Sequence, residues 1–229
     1  MSKKKGATRN KMKRMRSDGV RATALRFETC RTRLGVKPLY QDMIFAVPTF
    51  LSLSECQRVT SFATAQGFER VTQRASREFA FRDNDRLCLR MPGFAELLWQ
   101  RLAPHVPATC DTMHAMGLNP SMRFYRYQTG QRFGCHVDQS DVDPVTGYHS
   151  RFTVLVYLND ARDSDLQGGE TLFYATERDV VLEVTPETGL ALVHGHGERC
   201  LLHEGAQVRQ GTKYLLRTDI MYARALQDK

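Results

Sequence analysis

The sequence lacks the features of a membrane protein, a secreted disulfide-rich protein and a zinc–cysteine protein. None of its apolar runs approaches the roughly 20 residues that cross a bilayer. No apolar stretch follows the N-terminal lysines, as it would in a signal peptide. The six cysteines form no CxxC pair. We therefore expect free thiols in a reducing compartment, and an intracellular protein of the nucleus or cytoplasm that does not bind membranes.

The positive charge is concentrated at one end of the chain. The net charge is +8, yet the first 36 residues hold twelve lysines and arginines against two acidic residues, while the remainder holds 21 basic and 23 acidic residues. We predict a basic, disordered tail over 1–36 and a folded domain over 37–229. The tail is open to three interpretations: a nuclear import signal, an RNA-contacting arm or a solubilising segment. Nucleic acid is therefore a candidate partner only through the tail.

The predicted elements place helices before strands. A capping box at Ser52 and Glu55 begins one helix, Gly67 ends it, and a second helix is predicted over 93–102. Beyond residue 119, short β-rich runs alternate with glycine-containing turns. These runs are 122–127, 152–158, 171–174, 180–184, 190–193 and 214–222. The pattern predicts a mainly β protein of the α+β class, with helical support over 37–118 and an antiparallel sandwich or barrel over 119–224.

His136 and Asp138 are the first candidate metal ligands. Residues two apart in a strand project from the same face, so both side chains can reach one ion. Two histidines and one carboxylate suit non-haem Fe(II) and leave positions open for a co-substrate and O₂. Zinc hydrolases use a similar ligand set, so this pair alone does not select iron.

A third ligand must come from another segment, and His194, His196 and His203 are the candidates. Lys213 favours His203, because a cation ten residues downstream could meet the distal carboxylate of a dicarboxylate that chelates the metal. Arg217, four residues further on, is a rival for that role. Arg123 and Arg151 are further candidates.

Four ordered motifs resemble a known family. They are YxxGxxFxxHxD at 127–138, RxTxLxYLN at 151–159, GGET at 168–171 and HxxxxVxxGxKY at 203–214. Together they resemble the catalytic domain of prolyl 4-hydroxylases and related 2-oxoglutarate oxygenases over about 122–222. The resemblance implies a double-stranded β-helix, or jelly-roll, core.

The resemblance also implies residue roles and a reaction. It implies that iron is held by His136, Asp138 and His203, that Lys213 binds the C5 carboxylate of 2-oxoglutarate, and that Tyr127 and Tyr157 line the co-substrate pocket. The implied cofactors are Fe(2+), 2-oxoglutarate as co-substrate with O₂, and ascorbate as a supporting reductant. The implied reaction hydroxylates a C–H bond of a peptide or protein and releases succinate and CO₂. Asn84, Asp85 and Arg86 lie upstream of the β core, in the region where relatives carry substrate-facing segments, so they are candidate substrate-binding residues, with a polar turn as the alternative.

Two other functions remain open at this point. A nucleic-acid demethylase on the same scaffold is consistent with the basic tail but not with the net charge of −2 over the rest of the chain. A jelly roll that holds a metal without catalysis would act as an adaptor. The intact ligand set together with Lys213 argues against the adaptor, because a non-catalytic protein has no use for that combination.

Overall fold

The structure is a computed structural model that describes Leu25, Phe27 and residues 34–224. Apart from those two residues and 34–36, the predicted basic tail lies outside the described residues. The helices are α1 (Leu53–Gln66) and α2 (Pro92–Leu102). The strands are β1 (Lys37–Tyr40), β2 (Ile44–Val47), β3 (Glu69–Gln73), β4 (Arg82–Arg90), β5 (Thr109–Cys110), β6 (Met113–Leu118), β7 (Ser121–Gln128), β8 (Arg132–His136), β9 (His149–Tyr157), β10 (Gln167–Gly168), β11 (Thr171–Thr176), β12 (Asp179–Val184), β13 (Ala191–Gly195), β14 (Leu202–Gly205), β15 (Val208–Gln210) and β16 (Thr212–Arg224).

Helix α1 begins at the predicted capping box. The Ser52 hydroxyl accepts a hydrogen bond from the Glu55 amide at 3.2 Å, and the Glu55 carboxylate accepts one from the Ser52 amide at 2.9 Å. The same carboxylate accepts from the Arg101 guanidinium of α2 at 2.9 and 2.7 Å. Because Glu55 is buried, this N-cap also fixes the two helices to each other.

The strands form an antiparallel jelly roll. The main path of neighbouring strands runs β1-β2-β13-β9-β16-β7-β4-β8-β14-β11-β12, and β6 pairs with the C-terminal half of β16. Each of the six predicted β-rich runs is a strand in the structure. The mainly β, double-stranded β-helix fold is therefore confirmed. Among the described residues, no helix is both long and apolar enough to cross a membrane.

Two apolar clusters build the interior. One joins the helices to the strands, where Phe94 and Leu98 of α2 pack with Phe124 and Leu216 of β7 and β16. The other lies on the inward side of the strands and includes Tyr125, Tyr157 and Phe173. The second cluster surrounds the cavity in which the predicted ligands meet.

The structure differs from the expectation for 1–118 in two respects. The region predicted as helical support also contains six strands, and β4 lies inside the sheet against β7. Furthermore, Leu25 and Phe27, placed in the tail by their sequence position, pack on the core: Leu25 is buried, and the Phe27 ring stacks on Phe94 with centroids 5.4 Å apart. Both differences arise because burial of apolar side chains is decided by tertiary contacts and not by local charge.

Candidate active site

A cavity of about 430 Å³, including its mouth, lies inside the jelly roll. Several strands line it, which places polar side chains from distant parts of the chain around one space. The lining residues are Arg82, Tyr125, Tyr127, Phe133, His136, Asp138, Leu155, Thr171, His194, His203, Gly205, Lys213, Leu215 and Arg217.

The three predicted metal ligands meet at this cavity. His136 is the last residue of β8, Asp138 follows two residues later, and His203 of β14 lies directly opposite His136 in the antiparallel pairing. The Nε2 atom of His136 is 3.7 Å from Asp138 Oδ1, and Nε2 of His203 is 3.9 Å from Asp138 Oδ2. These separations are slightly longer than those of ligands around a bound ion, so a small contraction would complete the site.

Backbone carbonyls orient both imidazoles. His136 Nδ1 lies 2.9 Å from the carbonyl oxygen of Gly134, and His203 Nδ1 lies 3.0 Å from that of Leu201. If each Nδ1–H donates to its carbonyl, each Nε2 lone pair faces Asp138, as in histidines that bind metals. Burial lowers the pKa of His136 to about 3 and also lowers the pKa of His203. Both rings are therefore neutral, the form that binds a metal.

Asp138 is ionised and held in one orientation. Its Oδ2 atom accepts hydrogen bonds from the Thr153 hydroxyl at 2.7 Å and from Arg217 Nη2 at 2.9 Å. Burial alone would raise the pKa of Asp138, but Arg217 and the neighbouring imidazoles hold it well below its ordinary value. With Oδ2 engaged, Oδ1 is the oxygen that faces His136.

Arg217 lies between two carboxylates. Besides its contact with Asp138, its Nε atom is 3.5 Å from Asp219 Oδ1, and its side chain is 11% exposed. Although burial lowers the pKa of Arg217, the two carboxylates raise it above its ordinary value. The guanidinium is thus already ion-paired, which disfavours its use as the clamp for a dicarboxylate.

Lys213 is a buried cation without an acidic partner. Its side chain is fully inside the cavity wall, Nζ donates to the Gly169 carbonyl at 2.5 Å, and the rings of Tyr157 and Tyr127 lie 5.3 and 5.7 Å away. Within the described part of the chain no carboxylate reaches ion-pair distance of it. Burial lowers its pKa to about 8. An anion in this cavity would therefore relieve an unfavourable isolated charge.

These donors fit Fe(II) and 2-oxoglutarate. One carboxylate and two neutral imidazoles form the ligand set that non-haem Fe(II) oxygenases use. Lys213 supplies the positive charge that a distal carboxylate requires, and it lines the same cavity as the three ligands. The Tyr157 and Thr171 hydroxyls, 2.6 Å apart, lie among the buried groups beside it.

The predicted substrate-facing segment divides between two faces of β4. Arg86 pairs with Tyr125, a cavity residue, so its side chain and that of Asn84 share the cavity-facing side. Asp85 projects from the opposite face, where Arg126 and Arg70 lie 2.8 and 3.6 Å from its carboxylate. Asp85 therefore belongs to an ion-pair cluster on that face, and its role in substrate binding stays a prediction.

The remaining predicted candidates lie near the cavity but do not line it. Arg123 forms an ion pair with Asp219, and Arg151 lies 4.0 Å from Asp111. His196 points away from the ligands, with Nε2 2.7 Å from the Thr153 hydroxyl and Nδ1 3.1 Å from that of Ser150. Its hydrogen bonds make it part of the network that supports Asp138 through Thr153.

Sequence reasoning missed several residues of the cavity. Thr171 is the last residue of the GGET motif, and that motif was the available signal for it. Thr153 stands two residues after Arg151 in the RxTxLxYLN motif. Arg82 carried no distinguishing pattern. His194, one of the three candidates for the third ligand, lies at the cavity because β13 pairs with β9, which places it opposite Thr153.

Comparison with known proteins supports the same assignment. Residues 122–218 match the 2OG-Fe(II) oxygenase superfamily. The viral collagen prolyl hydroxylase of Paramecium Bursaria Chlorella virus-1 in its 2OG complex is 21% identical with a TM-score of 0.54, over 78% of this chain and 96% of that chain. A Trichoplax adhaerens prolyl hydroxylase in complex with a hypoxia inducible factor peptide fragment is 16% identical with a TM-score of 0.58, over 79% and 84%.

A third solved structure, a Pseudomonas putida prolyl-4-hydroxylase, is 16% identical with a TM-score of 0.51, over 78% of this chain and 91% of that chain. At these identities the likeness shows a shared fold. No curated protein matches the chain. The family match, the fold and the donor set agree on Fe(2+) and 2-oxoglutarate as cofactor and co-substrate. Residues 122–218 therefore form a domain similar to the 2OG-Fe(II) oxygenase superfamily, which supports a 2-oxoglutarate-dependent dioxygenase, and the chain shares its fold with solved prolyl hydroxylases.

Proposed function

We propose that this dioxygenase hydroxylates a C–H bond of a peptide or protein substrate and releases succinate and CO₂. One observation carries the proposal: a buried lysine without an acidic partner lines the same cavity as a two-histidine, one-carboxylate cluster. Fe(II) with 2-oxoglutarate supplies, when bound, the oxidising power that inserts one atom of O₂ into a C–H bond. The protein itself contributes binding, orientation and exclusion of water.

We assign the roles as follows. His136, Asp138 and His203 hold the metal, with Arg217 and Thr153 fixing the Asp138 carboxylate from behind. Lys213 binds the distal carboxylate of 2-oxoglutarate and is preferred to Arg217, because Arg217 is engaged by Asp138 and Asp219. Tyr127 and Tyr157 form the aromatic wall around the Lys213 ammonium and keep water away from it.

The cavity-facing side of β4 is the proposed substrate side. Arg82 lines the cavity, with its guanidinium 3.8 Å from the centre of the Phe133 ring, and Phe133 in turn stacks on His136 at 3.7 Å. Arg86 lies opposite Glu69 in the pairing of β3 with β4, and Asn84, two residues before it on the same face, is fully buried. The Trichoplax relative was solved with a peptide, which supports a peptide as the substrate here.

Anaerobic titration of the metal-free protein with Fe(II) and 2-oxoglutarate tests the cofactor assignment. The visible charge-transfer band of the chelate should require both additions. It should be absent in His136→Ala, and in Lys213→Met it should need a higher concentration of 2-oxoglutarate. Lys37→Met is the matched control, because Lys37 is exposed on β1, the strand at one end of the sheet.

A peptide screen tests the substrate class. Proline-containing peptides should raise succinate release above the rate without substrate, and the product should gain the mass of one oxygen atom. Methylated single-stranded oligonucleotides form the comparison arm, with formaldehyde release as the readout. If only the oligonucleotides are turned over, the protein is a demethylase and the peptide proposal is wrong. If the charge-transfer band is normal but neither class of substrate is turned over, the peptide proposal is contradicted and the cofactor assignment stands.

A further inference from the structure

The imidazole rings of His194 and His203 lie side by side, with an oxygen ligand near their Nε2 atoms and a sulfur atom near their Nδ1 atoms. Their ring centroids are 4.6 Å apart at a near-perpendicular angle. On one edge, Nε2 of His194 and Nε2 of His203 lie 3.8 and 3.9 Å from Asp138 Oδ2. On the other edge, Nδ1 of His194 and Nδ1 of His203 lie 3.9 and 3.7 Å from the Cys200 sulfur. The same two imidazoles thus face an oxygen ligand on one side and a sulfur ligand on the other.

The sulfur edge has the dimensions of a tetrahedral metal site. A zinc ion about 2.3 Å from sulfur and about 2.0–2.1 Å from nitrogen separates those two ligand atoms by about 3.6 Å in tetrahedral geometry. The measured sulfur–nitrogen distances of 3.7 and 3.9 Å require a contraction of only a few tenths of an ångström. All three residues are buried, and their ligand atoms lie within 4.8 Å of one another.

We propose that Cys200, His194 and His203 form a second metal site, selective for soft divalent ions such as zinc and cadmium, which competes with iron for His203. The two metal sites cannot be occupied at the same time, because a neutral His203 ring has only one nitrogen free to bind a metal. Coordination through Nδ1 moves the ring proton to Nε2, and a protonated Nε2 cannot bind iron. Bound soft metal would therefore inactivate the oxygenase by removing one of its three proposed iron ligands.

Two further points concern this site. No step of the proposed reaction uses His194, and its Nδ1 atom, 3.3 Å from the Gly195 carbonyl oxygen, would exchange that contact for the metal. The Asp138 amide donates to the Cys200 sulfur at 3.3 Å, but burial raises the pKa of this thiol to about 12, so the thiolate forms only when a metal ion binds. Thiolate sulfur favours zinc over harder ions, whereas the carboxylate edge suits Fe(II). The ion would displace the thiol proton to solvent.

The change at His203 is local. On binding a soft ion, His203 Nδ1 exchanges its hydrogen bond to the Leu201 carbonyl for the metal. A metal ion has a short path from solvent to Cys200, because the two preceding residues, Glu198 and Arg199, are exposed. The site therefore needs no rearrangement of the sheet.

Cadmium titration of the metal-free full chain tests the proposal, with the ultraviolet thiolate-to-cadmium charge-transfer band as the readout. We expect a band that saturates at one equivalent in the wild type and in His136→Ala, which removes a ligand of the iron site only. The band should be lost in Cys200→Ser and weakened in His194→Phe. Cys56→Ser is the matched control, because Cys56 is also a buried free thiol and lies on α1, far in sequence from the cluster.

Circular dichroism establishes that each variant is folded, and Cys200→Ala replaces the serine variant if serine is not tolerated. A band that persists without Cys200, or one that His136→Ala abolishes, would overturn the proposal. The second arm measures the zinc concentration that suppresses the Fe(II)–2-oxoglutarate band. It should rise in Cys200→Ser by about tenfold or more, since even groups outside the ligand set change metal affinity by about 10–100-fold. Equal zinc sensitivity would mean that zinc acts only at the iron site, a result that leaves the proposed oxygenase function untouched.

Discussion

Thr153 positions the Asp138 carboxylate without binding the metal. Its hydroxyl donates to Asp138 Oδ2 at 2.7 Å and lies 2.7 Å from Nε2 of His196. In Thr153→Val the shape of the side chain is retained and the hydrogen bond is lost. We expect the affinity for Mn(II), used anaerobically in place of Fe(II), to fall by about tenfold or more, as measured by calorimetry.

The control for Thr153→Val is Thr218→Val. Thr218 is equally buried on β16, but its hydroxyl donates to the Asn119 carbonyl at 2.8 Å. Both variants should lose about 1 kcal/mol of unfolding free energy for the lost hydrogen bond. Only Thr153→Val should lose metal affinity, and a similar loss in both would assign the effect to general destabilisation.

Lys213 gives 2-oxoglutarate binding a defined pH dependence. Burial lowers its pKa in the metal- and ligand-free protein to about 8, from an ordinary value of 10.5. The ammonium form binds a carboxylate, so the affinity for 2-oxoglutarate should be constant below pH 8 and should weaken as the pH rises above it. The limiting slope is about tenfold per pH unit for the loss of one proton. The stability of the ligand-free protein changes with pH in the opposite direction. Between about pH 8 and 10.5 this lysine is protonated in the unfolded chain but neutral in the folded protein, so the unfolding free energy rises with pH.

Titration of 2-oxoglutarate into the Mn(II)-loaded protein between about pH 7 and pH 9 measures the affinity that this lysine controls. Lys213→Arg is the control, since a guanidinium stays charged over the whole range and its curve should be flat. If the wild-type affinity is also flat, Lys213 does not bind the co-substrate.

At the scale of elements, the turn between β10 and β11 positions Lys213. Gly169 has φ = +74°, and a Cβ added there would lie 2.9 Å from Lys213 Cδ and 3.3 Å from Val208 Cγ2. In Gly169→Ala the lysine must leave its position, at a cost of about 0.5–1.5 kcal/mol for an unfavourable rotamer. We expect the affinity for 2-oxoglutarate to fall by several-fold to about tenfold, with Mn(II) binding unchanged, in the same calorimetric titration.

Gly147→Ala separates backbone strain from contact. Gly147 has a similar φ of +71°, but a Cβ there would meet nothing within 4 Å. Both substitutions should cost about 1–2 kcal/mol of stability, because a left-handed backbone disfavours alanine. A loss of 2-oxoglutarate affinity in both variants would contradict the specific role of Gly169.

The sequence predicted an element correctly when the pattern that indicates it lies within consecutive residues. Helix α1 and strand β16 were predictable, because a capping box and a β-rich run are contained in consecutive residues. Strand β4 was not, since its sequence RDNDRLCLR has no clear alternation, and its charges are tolerated only because Arg70 and Arg126 pair with its aspartates across the sheet. The sequence also could not decide between His194 and His203 from local signal alone, because the position of His194 depends on the pairing of β13 with β9.

At the scale of the whole molecule, a segment near the N-terminus helps to hold the helical layer in place. Leu25 is buried in the cluster between helices and sheet, and the Phe27 ring packs between Phe94 and the Arg101 guanidinium, whose carbon lies 5.3 Å from the ring centre. The metal and 2-oxoglutarate residues belong to the opposite, inward face of the sheet. Most of the basic residues of the first 36 positions precede Leu25 and Phe27 in the sequence, so the two groups can be removed separately by truncation.

Two truncations test this separation by thermal unfolding and Mn(II) calorimetry. A chain that begins at residue 24 loses most of the basic residues but retains Leu25 and Phe27, so its melting temperature should match that of the full chain. A chain that begins at residue 34 loses both apolar side chains, each worth about 1.5–3 kcal/mol of burial, and should melt several degrees lower. Both should bind Mn(II) and 2-oxoglutarate normally below their melting temperatures, because none of the cavity residues is removed. Equal melting temperatures for the two truncations would mean that Leu25 and Phe27 add nothing to the stability of the helical layer, and that the folded unit begins at β1.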